Sequence, residues 1–78
     1  SILDHLSPAD ANKATEFRNA IQAVVSDTGK YPEADLSKLP EVENYQWEFL
    51  GVMAFWGDLY EWIATNINNG DDLLNESL

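Results

Sequence analysis

Residues 39–69 read LPEVENYQWEFLGVMAFWGDLYEWIATNINN, and this stretch limits most strongly what the chain can fold into. It holds all three tryptophans, two of the three tyrosines and two of the three phenylalanines, without a single Lys or Arg. At ~100° per residue, Val42, Tyr45, Phe49, Val52, Met53, Trp56, Leu59, Tyr60, Ile63 and Ile67 fall on one apolar stripe. Spacing of this kind, kept up for about seven turns, predicts one long helix over residues 40–69. Pro40 suits its first turn, and Glu41 and Glu43 sit where the helix dipole favours acids. Asn68-Asn69-Gly70 is the predicted stop, with Gly70 in the left-handed conformation. Gly51 and Gly57 interrupt the helix at a cost of about 0.5–1 kcal/mol each, and predict either close approach by another helix or a bend.

The rest of the chain is lighter. Ser7-Pro8-Ala9-Asp10 reads as a helix start, with Ser7 as cap and Pro8 in the first helical position. The first helix is predicted over residues 8–28, on a stripe of Ala14, Phe17, Ile21, Val24 and Thr28 flanked by Ala20 and Val25, stopping at Gly29. Residues 1–6 are a lead-in whose Ile2, Leu3 and Leu6 can fold back as a staple. Lys30 to Pro40 is the connector, bracketed by Tyr31-Pro32 and Leu39-Pro40, with each residue before a proline biased to extended backbone. Residues 71–78, DDLLNESL, are either a short third helix or an acidic tail. The expected fold is one all-α domain over residues 1–78, a helical hairpin that pairs with a second copy into a helical bundle.

Length and composition narrow the function classes. A chain of 78 residues buries a small share of its surface, and the absence of cysteine removes disulfides and thiolate metal sites as supports. Self-association is the remaining cheap route to stability. The net charge of -10 is unevenly placed. Lys13, Arg18, Lys30 and Lys38 all lie in the first 38 residues, whereas the last 40 carry eight acids and no base. That field repels nucleic acid and anionic membrane and steers basic partners inward. It also serves solubility, which would explain the charge without any partner. The opening SILDHLSPAD has neither a basic start nor an apolar run of about 7–15 residues, so a soluble cytoplasmic protein is expected.

Chemistry-bearing patterns fail when tested. If Gly70 were the sixth position of an EF-hand loop, Glu76 would be the twelfth, but Thr65 and Ile67 would then stand where carboxylates are required. The four glycines are scattered, so no phosphate loop forms. His5 is the only histidine, which leaves neither a triad nor a Glu-x-x-His metal motif. Asp58 and Glu61, one turn apart, read better as a solvated acidic face than as paired catalytic carboxylates. No catalytic residue, metal or cofactor is expected.

What remains is recognition. Besides the main stripe, Trp47, Phe55 and Trp62 occupy the opposite half of the long helix, interleaved with Glu48, Asp58 and Glu61. One short helix cannot cover both sides, so a second chain is expected to meet the aromatic face. Trp47, Glu48, Phe55, Asp58, Glu61 and Trp62 are therefore the predicted partner-binding residues, and a basic protein is the predicted partner. The expected function is a non-enzymatic acidic binding module, an inhibitor or an antitoxin- or immunity-like factor that blocks a basic, nucleic-acid-binding site. The alternative is a structural or accessory subunit of a larger assembly, held by its aromatic faces.

Overall fold

Asp10, three residues later than the sequence suggests, caps the first helix. Its carboxylate accepts from the Asn12 backbone N–H at 2.8 Å, meeting one of the donors that a helix start leaves unpaired. The computed structural model describes residues 9–77, with side chains as far as Asn75, so the proposed Ser7 cap, the Pro8 start and the lead-in lie outside the described residues. Helix α1 is Ala11–Asp27. It ends as its sequence implies: Thr28 closes it and Gly29 follows at φ 69, in the left-handed region where a Cβ would be strained. Ala14, Phe17, Ile21 and Val25 are its buried stripe.

The predicted second helix is broken. Residues 28–48 form one long connector containing two 3₁₀ turns, Leu36–Lys38 and Val42–Asn44, and α2 spans only Phe49–Asn66. The cause is geometric. In a continuous helix, side chains two positions apart point about 200° apart, so Tyr45 and Trp47 could not both reach Phe55. With the chain turned back, both do. Their ring centroids lie 5.3 and 5.2 Å from that of Phe55, which is fully buried. The Trp47 indole donates to the Val42 carbonyl at 3.0 Å and fixes the turn.

Gly51 makes the reversal possible. A Cβ built there would stand 1.5 Å from the Gln46 carbonyl oxygen, so the close approach expected at this glycine comes from the connector's own backbone. No other helix is involved. Gly57 differs: nothing lies within 4 Å of a Cβ built there.

The connector is tied to α2 again at Asp35. Its carbonyl accepts from the Trp62 indole at 3.0 Å, and its N–H donates to the Asn66 side-chain oxygen at 3.0 Å. Arg18 secures the other side. It is buried, and donates to the Pro40 carbonyl at 3.1 Å and to the carboxylate of Glu41. A buried guanidinium needs such partners, because leaving one uncompensated costs several kcal/mol. Glu41 is thus an anchor of the fold and no helix-start acid.

Helix α2 stops at Asn66, and Gly70 opens α3, Gly70–Ser77, instead of ending a long helix. Its φ is not positive. A Cβ at Gly70 would stand 2.9 Å from the Ile63 methyl, so this glycine serves the tight corner between α2 and α3. Asp71 and Asp72 lie in the first turn of α3, favourably for the dipole. Leu73 and Leu74 are fully buried, so residues 71–77 dock as a helix. The backbone of α1 approaches α3 most closely, which replaces the expected two-helix hairpin with a three-helix arrangement closed by the connector. Among the described residues the protein is all-α, and none of its helices is long and apolar enough to cross a membrane.

The two α2 glycines should respond oppositely to alanine. Gly57→Ala should stabilise the protein by about 0.5–1 kcal/mol, the propensity gain of an unhindered helix site. Gly51→Ala should destabilise it by more than that gain, since the Gln46 carbonyl must move. Urea unfolding of both variants checks this; equal effects would contradict the packing assigned to Gly51.

Candidate functional site

The inner and outer sides of α2 do different work. Phe55, Trp56, Leu59, Trp62 and Ile63 face the core. Phe55 is the hub of an aromatic cluster. Trp56 meets it edge-on at 5.2 Å and reaches across to Phe17 of α1 at 5.8 Å. Such tilted and edge-on pairs add about 0.5–1.5 kcal/mol each beyond area burial.

The six predicted binding residues consequently divide. Phe55 and Trp62 are core residues, 0% and 5% exposed, and are not available to a partner. Trp47 is half-buried, with its indole N–H already engaged. The sequence reading assigned these rings to a second chain because it had one straight helix and one short neighbour to hide them. The turned-back connector supplies the missing cover within a single chain, and removes the stated reason for self-association. Glu48, Asp58 and Glu61 are exposed, as expected.

The outer side carries the apolar surface that the sequence reading placed elsewhere. Phe49, Leu50 and Met53 are 79%, 74% and 59% exposed. Phe49 and Met53 belong to the predicted core stripe, but they lie at its edge, and the connector that reverses at Gln46 leaves them uncovered. On a 100° wheel the sector from Phe49 through Met53, Ala64 and Gly57 to Leu50 spans about 100°. Its charged edge is Glu61 and Asp58, and Glu48 lies at its N-terminal end. An open groove of ≈ 440 Å³ runs along this side, with Trp47, Met53, Trp56, Gly57 and Tyr60 in its walls and Ala9 at its margin.

Electrostatics follow the same division. Of the four bases, Arg18 is turned inward to Glu41, and Lys13 lies 3.7 Å from Glu16 on α1. None belongs to α2, α3 or the turn 42–44. Asp58 is the one carboxylate of the edge with a structural bond, accepting from the Tyr45 hydroxyl at 2.6 Å. Burial first, then the Asp58 carboxylate as acceptor and as charge, pushes the Tyr45 phenol up to about 12. No group of three His, Cys, Asp or Glu side chains among the described residues is placed to hold a metal ion. The arrangement offers a surface for binding, with acids at its border, and no constellation for proton transfer or nucleophilic attack.

No protein-family model, no curated protein and no solved structure matches this chain. The reading of its function therefore stands on the residues themselves.

The Tyr45–Asp58 bond has an alkaline signature. A phenol whose folded value exceeds its ordinary 10.0 contributes stability that is complete below pH 10 and fades as pH rises through about 12. Phenolate absorbance should show one tyrosine titrating near 12 that vanishes in Tyr45→Phe. Identical titration of the two proteins would remove the bond from the description.

Proposed function

We propose that this protein is a non-enzymatic acidic binding module that occupies a basic, nucleic-acid-binding site on a target protein, as an inhibitor or an antitoxin- or immunity-like factor does. The observation that carries the reading is the exposed face of α2, in which Phe49, Leu50 and Met53 are bordered by Glu48, Asp58 and Glu61 with no base among residues 39–78. Apolar anchors supply affinity in such a contact, and the acids supply steering and choice of partner. The inward turn of Arg18 supports it further, since the surface is more acidic than the composition alone implies.

A cytoplasmic setting and pairing with a second copy belong to the same proposal; for the pairing, the outer face of α2 is now the only large apolar surface available among the described residues. The accessory-subunit alternative keeps that same face as its contact. It loses Phe55 and Trp62, which serve the core.

Purified basic nucleic-acid-binding proteins, titrated with and without duplex DNA as competitor, separate the two readings. Under the proposal, binding is displaced by duplex and weakens steeply with salt, as contacts between exposed charges must. The combined change Glu48→Gln, Asp58→Asn and Glu61→Gln should weaken it about tenfold, the sum of three modest rim contributions. Glu41 is left out of this set because its loss would strand Arg18 in the core. Binding that ignores salt, duplex and all three carboxylates would favour the accessory subunit.

A further inference from the structure

Gly57 has no explanation within the chain. It sits in the middle of α2, is exposed, and has nothing within 4 Å of the place where a Cβ would be. A glycine there costs stability relative to alanine, and neither a turn nor an internal close approach offsets that cost. It lies in the wall of the groove beside Met53 and Tyr60, and Phe49, Leu50 and Met53 stand exposed one and two turns before it. Lacking a side chain, it leaves a notch in an apolar strip that is otherwise bulky.

We propose that this strip is the docking seat of an amphipathic helix belonging to the partner, one with apolar residues along its centre and Lys or Arg along its flanks, whose backbone closes on α2 at Gly57. The inference rests on the reading of a basic partner and specifies how that partner is held. A helix laid along α2 sets its apolar residues between Phe49, Leu50 and Met53, the anchor pattern of helix-in-groove recognition. Small residues let helix backbones approach, and Gly57 with exposed Ala54 and Ala64 provides them here. Charge selects among the occupants. Glu61 and Asp58 run along one edge and Glu48 lies at the N-terminal end, so flanking bases are matched and flanking acids repelled. A second copy would bring two such borders together, each on a chain of net charge -10. The chain's own residues 1–6 contain Ile2, Leu3 and Leu6 but no Lys or Arg, so they satisfy the apolar half of the requirement alone.

The test uses the full chain and an 18-residue Leu/Lys peptide with helical 3-4 spacing, the length of α2. Oligolysine of equal charge and a Leu/Glu peptide of equal pattern serve as comparisons. The Leu/Lys peptide should bind about tenfold tighter than oligolysine, and the Leu/Glu peptide should not bind. Leu50→Glu with Met53→Glu should lower affinity about tenfold or more. Gly57→Leu should do the same while its unfolding midpoint stays level or rises; a purely structural glycine would give the reverse pairing.

Oligolysine binding as tightly as the Leu/Lys peptide would overturn the docking seat and leave the basic-partner reading standing. Failure of every basic peptide would overturn both. A dimer in sedimentation that Leu50→Glu dissolves would assign the face to a second copy instead. Peptide binding seen only after Ile2, Leu3 and Leu6 are changed to Ser would assign it to the chain's own N-terminal segment. Either result overturns the proposal.

Discussion

The burial of Phe55 governs how this chain folds. Its ring is fully enclosed, with Tyr45 on one side, Trp47 on another and Trp56 edge-on. Enclosing it from both Tyr45 and Trp47 requires the backbone to reverse between them and α2. Several other features follow from that reversal. Gly51 must lack a side chain because the Gln46 carbonyl occupies its place. The connector must run across the inner side of α2, where Trp62 and Asn66 hold Asp35 by its carbonyl and its N–H. A polar backbone segment pressed onto an apolar face needs such partners, since an unpaired buried group costs about 1–3 kcal/mol. Trp62 is thus both core filling and the donor that makes the connector's path tolerable.

Charge is arranged around the same connector. Arg18 reaches from α1 to the Pro40 carbonyl and Glu41, so the base nearest the middle of the chain is consumed in holding the connector down. What faces outward on α2 is apolar in its N-terminal half and acidic at its border. Of the two sides of α2, the inner is satisfied by its own chain. The outer is left with three large exposed apolar side chains and a glycine that no neighbour explains. Function is sought on the side the fold does not use.

Much of this was legible in the sequence. The 3-4 spacing of Ala14, Phe17 and Ile21, with Gly29 beyond, marked α1 and its stop to within a few residues, because local propensity and packing agree there. The register of α2 from Trp56 to Ile63 was likewise readable. Residues 40–48 misled because Val42 and Tyr45 continue the helical spacing by chance of position. Their actual partners lie across a reversal, which periodicity cannot register. Gly51 and Gln46 together carried a trace of it, since a glycine near the start of a strongly apolar helix asks for something close by. Gly70 misled in the opposite way: a glycine after two asparagines is the ordinary mark of a helix end, and here it opens α3 against Ile63. The acids Glu48, Asp58 and Glu61 were placed correctly as exposed. The apolar part of the surface was assigned to Phe55 and Trp62 because the wheel was drawn without the connector that covers them.

The division of α2 into a satisfied inner side and an available outer one can be observed in a single heteronuclear NMR titration with the Leu/Lys peptide. The expected result is perturbation of backbone amides at Phe49, Leu50, Met53, Gly57 and Glu61, while the Trp62 indole N–H, bonded to the Asp35 carbonyl, keeps its position and its slow exchange. Movement centred on the Trp62 indole and Asp35, with the outer amides unchanged, would contradict it.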